Sequence, residues 1–296
     1  MKDIFPFLVV TCLIATECVQ AQTNFWQQTN GPYGLTTSQP VLAITSDSVG
    51  YMYVSTYNPT KIYLSTDEGE NWVEVTSVGT EAYGLITNHS REVFAATFQG
   101  VFRSTYHGQS CTQHTNGLTT TQLVCIAVAA NGDLLVGTWY QGVFRSTNRG
   151  ETWTHSGLMG IDEIDQLYSG PGGLVFARHP ATAAYRSTDF GQTWDSIPSL
   201  RWGASSFAFD SFNRVYASSY RGPAYRSTNG GVSWDSISNG LPGYVDGSTI
   251  TTDAADNVYL IARGIYRSSD AGGTWSLVDQ RLATFGGLAG CAYCRI

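Results

Sequence analysis

A ten-residue pattern occurs six times in this 296-residue chain. Its copies begin at Tyr63, Phe102, Phe144, Tyr185, Tyr225 and Tyr266, and five of them run from an aromatic residue through Ser, Asp or Asn, and Gly to a closing Trp. The glycines of the six copies, 69, 108, 150, 191, 231 and 272, are separated by 39, 42, 41, 40 and 41 residues. A repeat at that period means six copies of one supersecondary unit, each too small to bury its apolar face alone and therefore packed on its neighbours. The length would allow one or two domains. The repeat reduces this to one, spanning 22–296.

Each unit carries the same strand signals ahead of the motif. In the third unit, Leu123-Val-Cys-Ile-Ala-Val-Ala129 predicts a buried strand, Ala130-Asn-Gly-Asp133 a hairpin turn, and Leu134-Leu-Val-Gly-Thr-Trp139 a second strand. Gly142-Val-Phe-Arg-Ser146 predicts a third, and Trp153-Thr-His155 a fourth. Four short antiparallel strands in about 41 residues make one propeller blade, whereas solenoid repeats of similar length need a helical period that is absent here. The predicted fold is all-β: a propeller of four-stranded antiparallel blades.

The motif has the chemistry of a turn. The Asp or Asn two residues after the Ser can accept hydrogen bonds from amides ahead of it. The Gly two residues further on permits positive φ. The Thr or Ser before the Trp adds a second local hydrogen bond, and the Trp supplies apolar area that holds the turn against the blade. The Ser-x-Asp-x-Gly-x-Thr-Trp sequence resembles the Asp-box, or BNR, repeat of sialidases, xyloglucan-cleaving propellers, sortilin-type receptors and the photosystem II stability/assembly factor group. The boxes lie at 65–72, 104–111, 146–153, 187–194, 227–234 and 268–275, and the resemblance covers about 41 to 278. It implies that each box joins the third and fourth strands of a blade. The second copy departs from the pattern, with Tyr106 for the Asp and Cys111 for the Trp, and predicts a looser turn. The box recurs in enzymes and non-enzymes alike, so the resemblance implies a fold and not an activity.

Residues 1–21 read as a signal peptide. Lys2 precedes an apolar stretch from Ile4 to Ala15, and Val19-Gln-Ala21 offers small residues where a signal peptidase cuts. The apolar run is too short for a membrane span. The expectation is a secreted or periplasmic monomer. Export makes disulfides possible for Cys111, Cys125, Cys291 and Cys294, the nearest pairs being Cys111/Cys125 and Cys291/Cys294. Cys291-Ala-Tyr-Cys294 has half the spacing of a zinc site but no completing pair, so neither a metal nor another cofactor is expected. Net charge is −7, only two of the 16 basic residues are Lys, and there is no basic run, which excludes nucleic acid as a partner.

Phe25-Trp-Gln-Gln-Thr-Asn-Gly31 resembles the stretch that follows the boxes, as in Cys111-Thr-Gln-His-Thr-Asn-Gly117. It reads as a lone fourth strand that would complete a blade begun by the C-terminus. No seventh box follows Trp275. Six blades are therefore complete, and closure by six or by a partial seventh stays open.

Catalytic signals are weak. The resemblance to sialidases would imply an arginine triad, a Tyr–Glu nucleophile pair, an acid/base Asp and an Arg-Ile-Pro signature, and no Arg-Ile-Pro occurs. Arg103, Arg145, Arg186, Arg226 and Arg267 hold the same place in successive boxes, which predicts a structural role. A glycosidase needs two carboxylates across one cleft. Asp162, Glu163, Asp165 and Asp246 lie in connections between a fourth strand and the next first strand, on the face where propellers bind ligands. They are the candidate acid and base, and Asp162–Asp165 also reads as a candidate Ca²⁺ loop, against the plainer expectation of a solvated loop.

A second register stands out near the end of each second strand: Tyr57, Phe98, Trp139, His179, Tyr220 and Arg263, spaced 41, 41, 40, 41 and 43 residues apart. One planar or cationic group per blade would ring the entrance and suit a sugar ring or a peptide side chain. The same spacing would also arise from packing between blades, which is the expectation for Phe98. The candidate ligand-binding set is Tyr57, Trp139, Tyr140, Arg201, Trp202, Tyr220 and Arg221, for a glycan or protein partner. Glycoside hydrolysis and an assembly role remain the alternatives.

Overall fold

The computed structural model describes residues 41–57, 60–75, 78–180, 184–200, 203–219, 222–242, 249–262 and 264–279. The leader, Phe25–Gly31, Asp246, Cys291 and Cys294 lie outside them, as do Arg201, Trp202, Tyr220, Arg221 and Arg263.

Among the described residues the chain forms six four-stranded antiparallel sheets, each with its strands in sequence order from inside to outside. The chain is a β-propeller, and its described residues form the six complete blades that the repeat predicts. The innermost strands are Val41–Ser46, Ala82–Thr87, Leu123–Val128, Gln166–Ser169, Ala204–Phe209 and Thr249–Thr252. They line a central cavity of about 460 Å³ whose described walls carry hydroxyls, an amide and apolar groups. The outermost strands are only two to four residues long, which leaves little exposed edge for another chain to pair with.

Side chains on a strand alternate between two faces, and here each face packs on a different neighbour. Leu134 and Val136 of the third blade join Phe94 and Ala96 of the second in one core. Leu135, between them, joins Val175 and Ala177 of the fourth. Five consecutive junctions are filled this way. Hydroxyls add bonds across the junctions: Thr87 Oγ1 donates to Ser46 O at 2.7 Å and Thr252 Oγ1 to Phe209 O at 2.6 Å. Among the described residues, Val54, Tyr63 and Trp72 on the first blade's remaining face gather with Val41, Ile44 and Met52 of the same blade.

Each box is the turn between third and fourth strands. In the first, Ser65 Oγ accepts from Gly69 N at 2.8 Å, Asp67 Oδ1 accepts from Asn71 N at 2.8 Å, and Trp72 Nε1 donates to Gly69 O at 2.9 Å. The residue before the box glycine is also left-handed: Glu68, His107, Arg149, Phe190 and Ala271 have φ of 47 to 61°, and the fifth box places Gly230 there. The second box corrects the expectation of a looser turn. Without a carboxylate it keeps the same fold, because Ser104 Oγ still accepts from Gly108 N at 2.9 Å and His107 and Gly108 keep positive φ.

The box arginines are structural. Arg103 binds Glu92, Arg145 binds Asp133, Arg226 donates to Ala271 O and Arg267 to Asn257. The suggested Cys111/Cys125 disulfide is absent, and both thiols are free. Cys111 packs at the junction of blades one and two, whereas Cys125 faces blade four and donates to Ile164 O at 3.3 Å. Proximity in sequence does not bring them together across two different junctions.

Candidate functional site

The connections between second and third strands and between successive blades emerge on the face opposite the boxes, because neighbouring strands run antiparallel. A threonine at the end of the second strand shapes this face. Thr138 Oγ1 donates to Gly142 O at 3.0 Å and accepts from Gln141 N at 2.8 Å. In blade two Thr97 Oγ1 donates to Gly100 O at 2.8 Å and accepts from Gln99 N at 3.0 Å. The closed turns fix the residues that follow the threonines, Phe98 and the pair Trp139-Tyr140.

These side chains form one band. The Tyr83 and Phe98 rings stack with centroids 4.5 Å apart. Phe98 meets Trp139 edge-on at 5.7 Å, and Trp139 lies 6.2 Å from Tyr140. Phe98 is half-buried between its neighbours, whereas Trp139 is 37% exposed, Tyr140 59% and Tyr57 49%. Burial, with the Glu81 carboxylate and the Tyr57 hydroxyl nearby, raises the Tyr83 hydroxyl above its ordinary range. Tyr57 and Glu81 thus sit at the Tyr83 end. Neither Tyr83 nor Glu81 belongs to the second register of the repeat. Tyr83 lies where the chain enters a blade's first strand, and no spacing marked it, whereas Glu81 belongs with Asp162 and Glu163 to the acidic residues that the sequence places between a fourth strand and the next first strand.

The acidic loop adjoins the other end, because Ile164 N donates to Thr138 O at 3.0 Å beside Trp139. The loop is not simply solvated. Asp162 Oδ1 lies 2.7 Å from His179 Nε2, and Asp165 Oδ2 lies 3.1 Å from Arg178 Nη1. His179 is buried, so it supports the loop and does not add an exposed ring to the entrance. The His179 hydrogen bond holds the Asp162 carboxyl below its ordinary value. Burial pushes Asp165 up to about 6, against the opposing pull of Arg178 and with help from the Glu163 charge. Asp165 Oδ1 and Arg178 Nε are buried without a hydrogen-bond partner. Among the described residues no three His, Cys, Asp or Glu side chains gather as a metal site, so Asp162–Asp165 is not joined by a further ligand there. Exposed Met159, 78% accessible, adds apolar surface to the same connection.

No protein-family model and no curated protein matches the chain. Solved propellers match it in shape. The GH74 enzyme of Niastella koreensis superposes with a TM-score of 0.68 at 18% identity over 81% of this chain and 47% of that one. The chain therefore spans about half the length of that enzyme. YCF48 bound to a D1 peptide gives a TM-score of 0.65 at 17% identity, over 82% of this chain and 83% of YCF48. The extracellular domain of a protein described as a B. thetaiotaomicron hybrid two component system gives 0.62 at 14% identity, over 80% of this chain and 34% of that domain. A GH74 enzyme, a protein bound to a peptide and the extracellular domain of a two component system share the fold, and among the described residues no helix is long and apolar enough to cross a membrane.

Proposed function

We propose that this chain is an exported, non-catalytic recognition propeller that binds a glycan or a protein partner on the face opposite its boxes. The observation that carries the reading is the continuous aromatic band with Trp139 and Tyr140 exposed on it and exposed Tyr57 near its Tyr83 end. Flat apolar faces left in water at a propeller entrance suit stacking on sugar rings or packing on peptide side chains. Arg201, Trp202, Tyr220 and Arg221, candidates from the sequence that lie outside the described residues, are proposed to extend the surface. Export rests on the leader at 1–21 and is in keeping with an extracellular domain among the similar structures. The test is a glycan and peptide array probed with the mature chain and with Trp139→Ala plus Tyr220→Ala. Loss of signal in the variant supports the surface, and an unchanged signal rejects it.

Glycoside hydrolysis is the second reading, favoured by the opposite displacement of Asp162 and Asp165, which is how a site separates an acid from a base. Against it, Asp165 has one oxygen on Arg178 and the other buried, so Asp162, Glu163 and Asp246 would have to carry the chemistry. Hydrolysis of xyloglucan or another polysaccharide by the chain, lost in Asp162→Asn or Glu163→Gln, would establish this reading. Inactivity across a polysaccharide and sialoside panel would remove it.

A further inference from the structure

We infer that the occupant of the aromatic band is a basic segment of a protein, an extended stretch carrying Arg or Lys side chains; this rests on the surface proposed above and narrows its partner. Carboxylates stand at both ends of the band. Glu81 lies beside Tyr83 at one end, and the loop bearing Asp162 and Glu163 adjoins Trp139 at the other. The Asp162 side chain is 80% exposed. Among the described residues, the cations on this face of blades one to four already have acidic partners. Lys61 is paired with Glu74, and Arg178 with Asp165. The box arginines emerge at the opposite end of their strands. Along the described band an acidic ligand would therefore meet carboxylates, with the Lys and Arg there already paired.

A cationic ligand meets two complementary features at once. The faces of Trp and Tyr attract a guanidinium or ammonium through the ring quadrupole, and among the described residues no cation lies over the band's rings: the ring–cation contact there is Arg214 over Phe212, in a hairpin on the box side. The flanking carboxylates add charge attraction that a neutral sugar cannot use. The ring centroids advance in steps of 4.5, 5.7 and 6.2 Å, a path that roughly five residues of extended chain would follow at about 3.3 Å each.

The test uses the full mature chain and two randomised octapeptide libraries, one of net charge +3 and one of −3, with a neutral xyloglucan oligosaccharide as a third arm. The +3 library is expected to bind at least tenfold more tightly than the −3 library and to weaken as salt rises from 50 to 300 mM. Glu81→Gln with Glu163→Gln should weaken that binding several-fold, and Tyr140→Ala, at an exposed position, at least fivefold. Equal affinity for both libraries, preference for the acidic one, or binding of neither overturns the inference. Binding of the oligosaccharide alone, lost in Trp139→Ala, overturns it while leaving the aromatic surface standing. Binding of any probe that survives both Trp139→Ala and Tyr140→Ala overturns the surface as well.

Discussion

Asp165 and Arg178 form an incomplete ion pair: Asp165 Oδ2 is 3.1 Å from Arg178 Nη1, while Asp165 Oδ1 and Arg178 Nε are buried with no partner. Low-dielectric surroundings then penalise the carboxylate more than one contact restores, and the Asp165 carboxyl titrates near 6. The pair fixes the loop that flanks Trp139, so its protonation bears on the candidate site.

The pH dependence follows from the sign of that displacement. The folded-state value lies above the ordinary 3.8, so the native chain holds this proton more tightly than the unfolded chain does. Its contribution is full below about pH 4 and is lost as pH rises through 6. The stability of the wild type minus that of Asp165→Asn should fall by about 2 kcal/mol between pH 4 and pH 6.5, after allowance for partial exposure. Denaturant unfolding at the two pH values measures it, and a flat or rising difference would contradict the assignment. Asp270 acts in the opposite sense. Its carboxyl is lowered to about 2, first by the Thr274 amide and then by the Ser268 and Thr274 side chains, so its contribution is present above 3.8 and lost as pH falls toward 2.

The two adjacent glycines of the fifth box should respond differently to alanine. At Gly230, φ is 67° and a Cβ would meet Leu174 at an ordinary 3.6 Å. Glu, His, Arg, Phe and Ala occupy this place in the other boxes, so Gly230→Ala should change stability by no more than about 1 kcal/mol. At Gly231, φ is 87° and a Cβ would lie 2.7 Å from the Phe176 ring. Gly231→Ala should lose roughly 2–4 kcal/mol, strain and overpacking combined. Thermal unfolding of the two variants side by side distinguishes them, and equal losses would refute the turn geometry.

The thiols offer a direct check on the junctions. Cys111 is half-buried at the box, whereas Cys125 is buried against Ile164. Under native conditions a small alkylating reagent should modify Cys111 and spare Cys125, with both modified after unfolding. Peptide mapping that recovers a Cys111–Cys125 disulfide would contradict the blade assignment.

Most of the fold was legible because the box is a local device. Ser, Asp or Asn, Gly and Trp act within eight residues, and a feature confined to one turn and repeated six times needs no knowledge of distant contacts. The second copy shows the limit of reading by consensus, since Tyr106 and Cys111 replace two hallmarks while Ser104 alone holds Gly108 in place. The site was less legible because its parts come from different registers. Trp139 was found by spacing, but Tyr83 reaches Phe98 from a first strand of the same blade. His179 matched the register yet turned inward to Asp162. The acidic loop looked solvated in sequence because its partners, Arg178 and His179, sit a dozen or more residues away and meet it only when the blade's first and second strands pair.

If the aromatic band opposite the boxes is the recognition surface, array binding will separate Trp139→Ala plus Tyr140→Ala from the wild type and from Tyr106→Ala. Tyr106 is 60% exposed but lies in a box, on the other face. The double variant, still folded by circular dichroism, should lose at least tenfold in affinity for whatever probe the wild type binds, while Tyr106→Ala should bind as the wild type does. Unchanged binding by the double variant, or an equal loss in Tyr106→Ala, would contradict it.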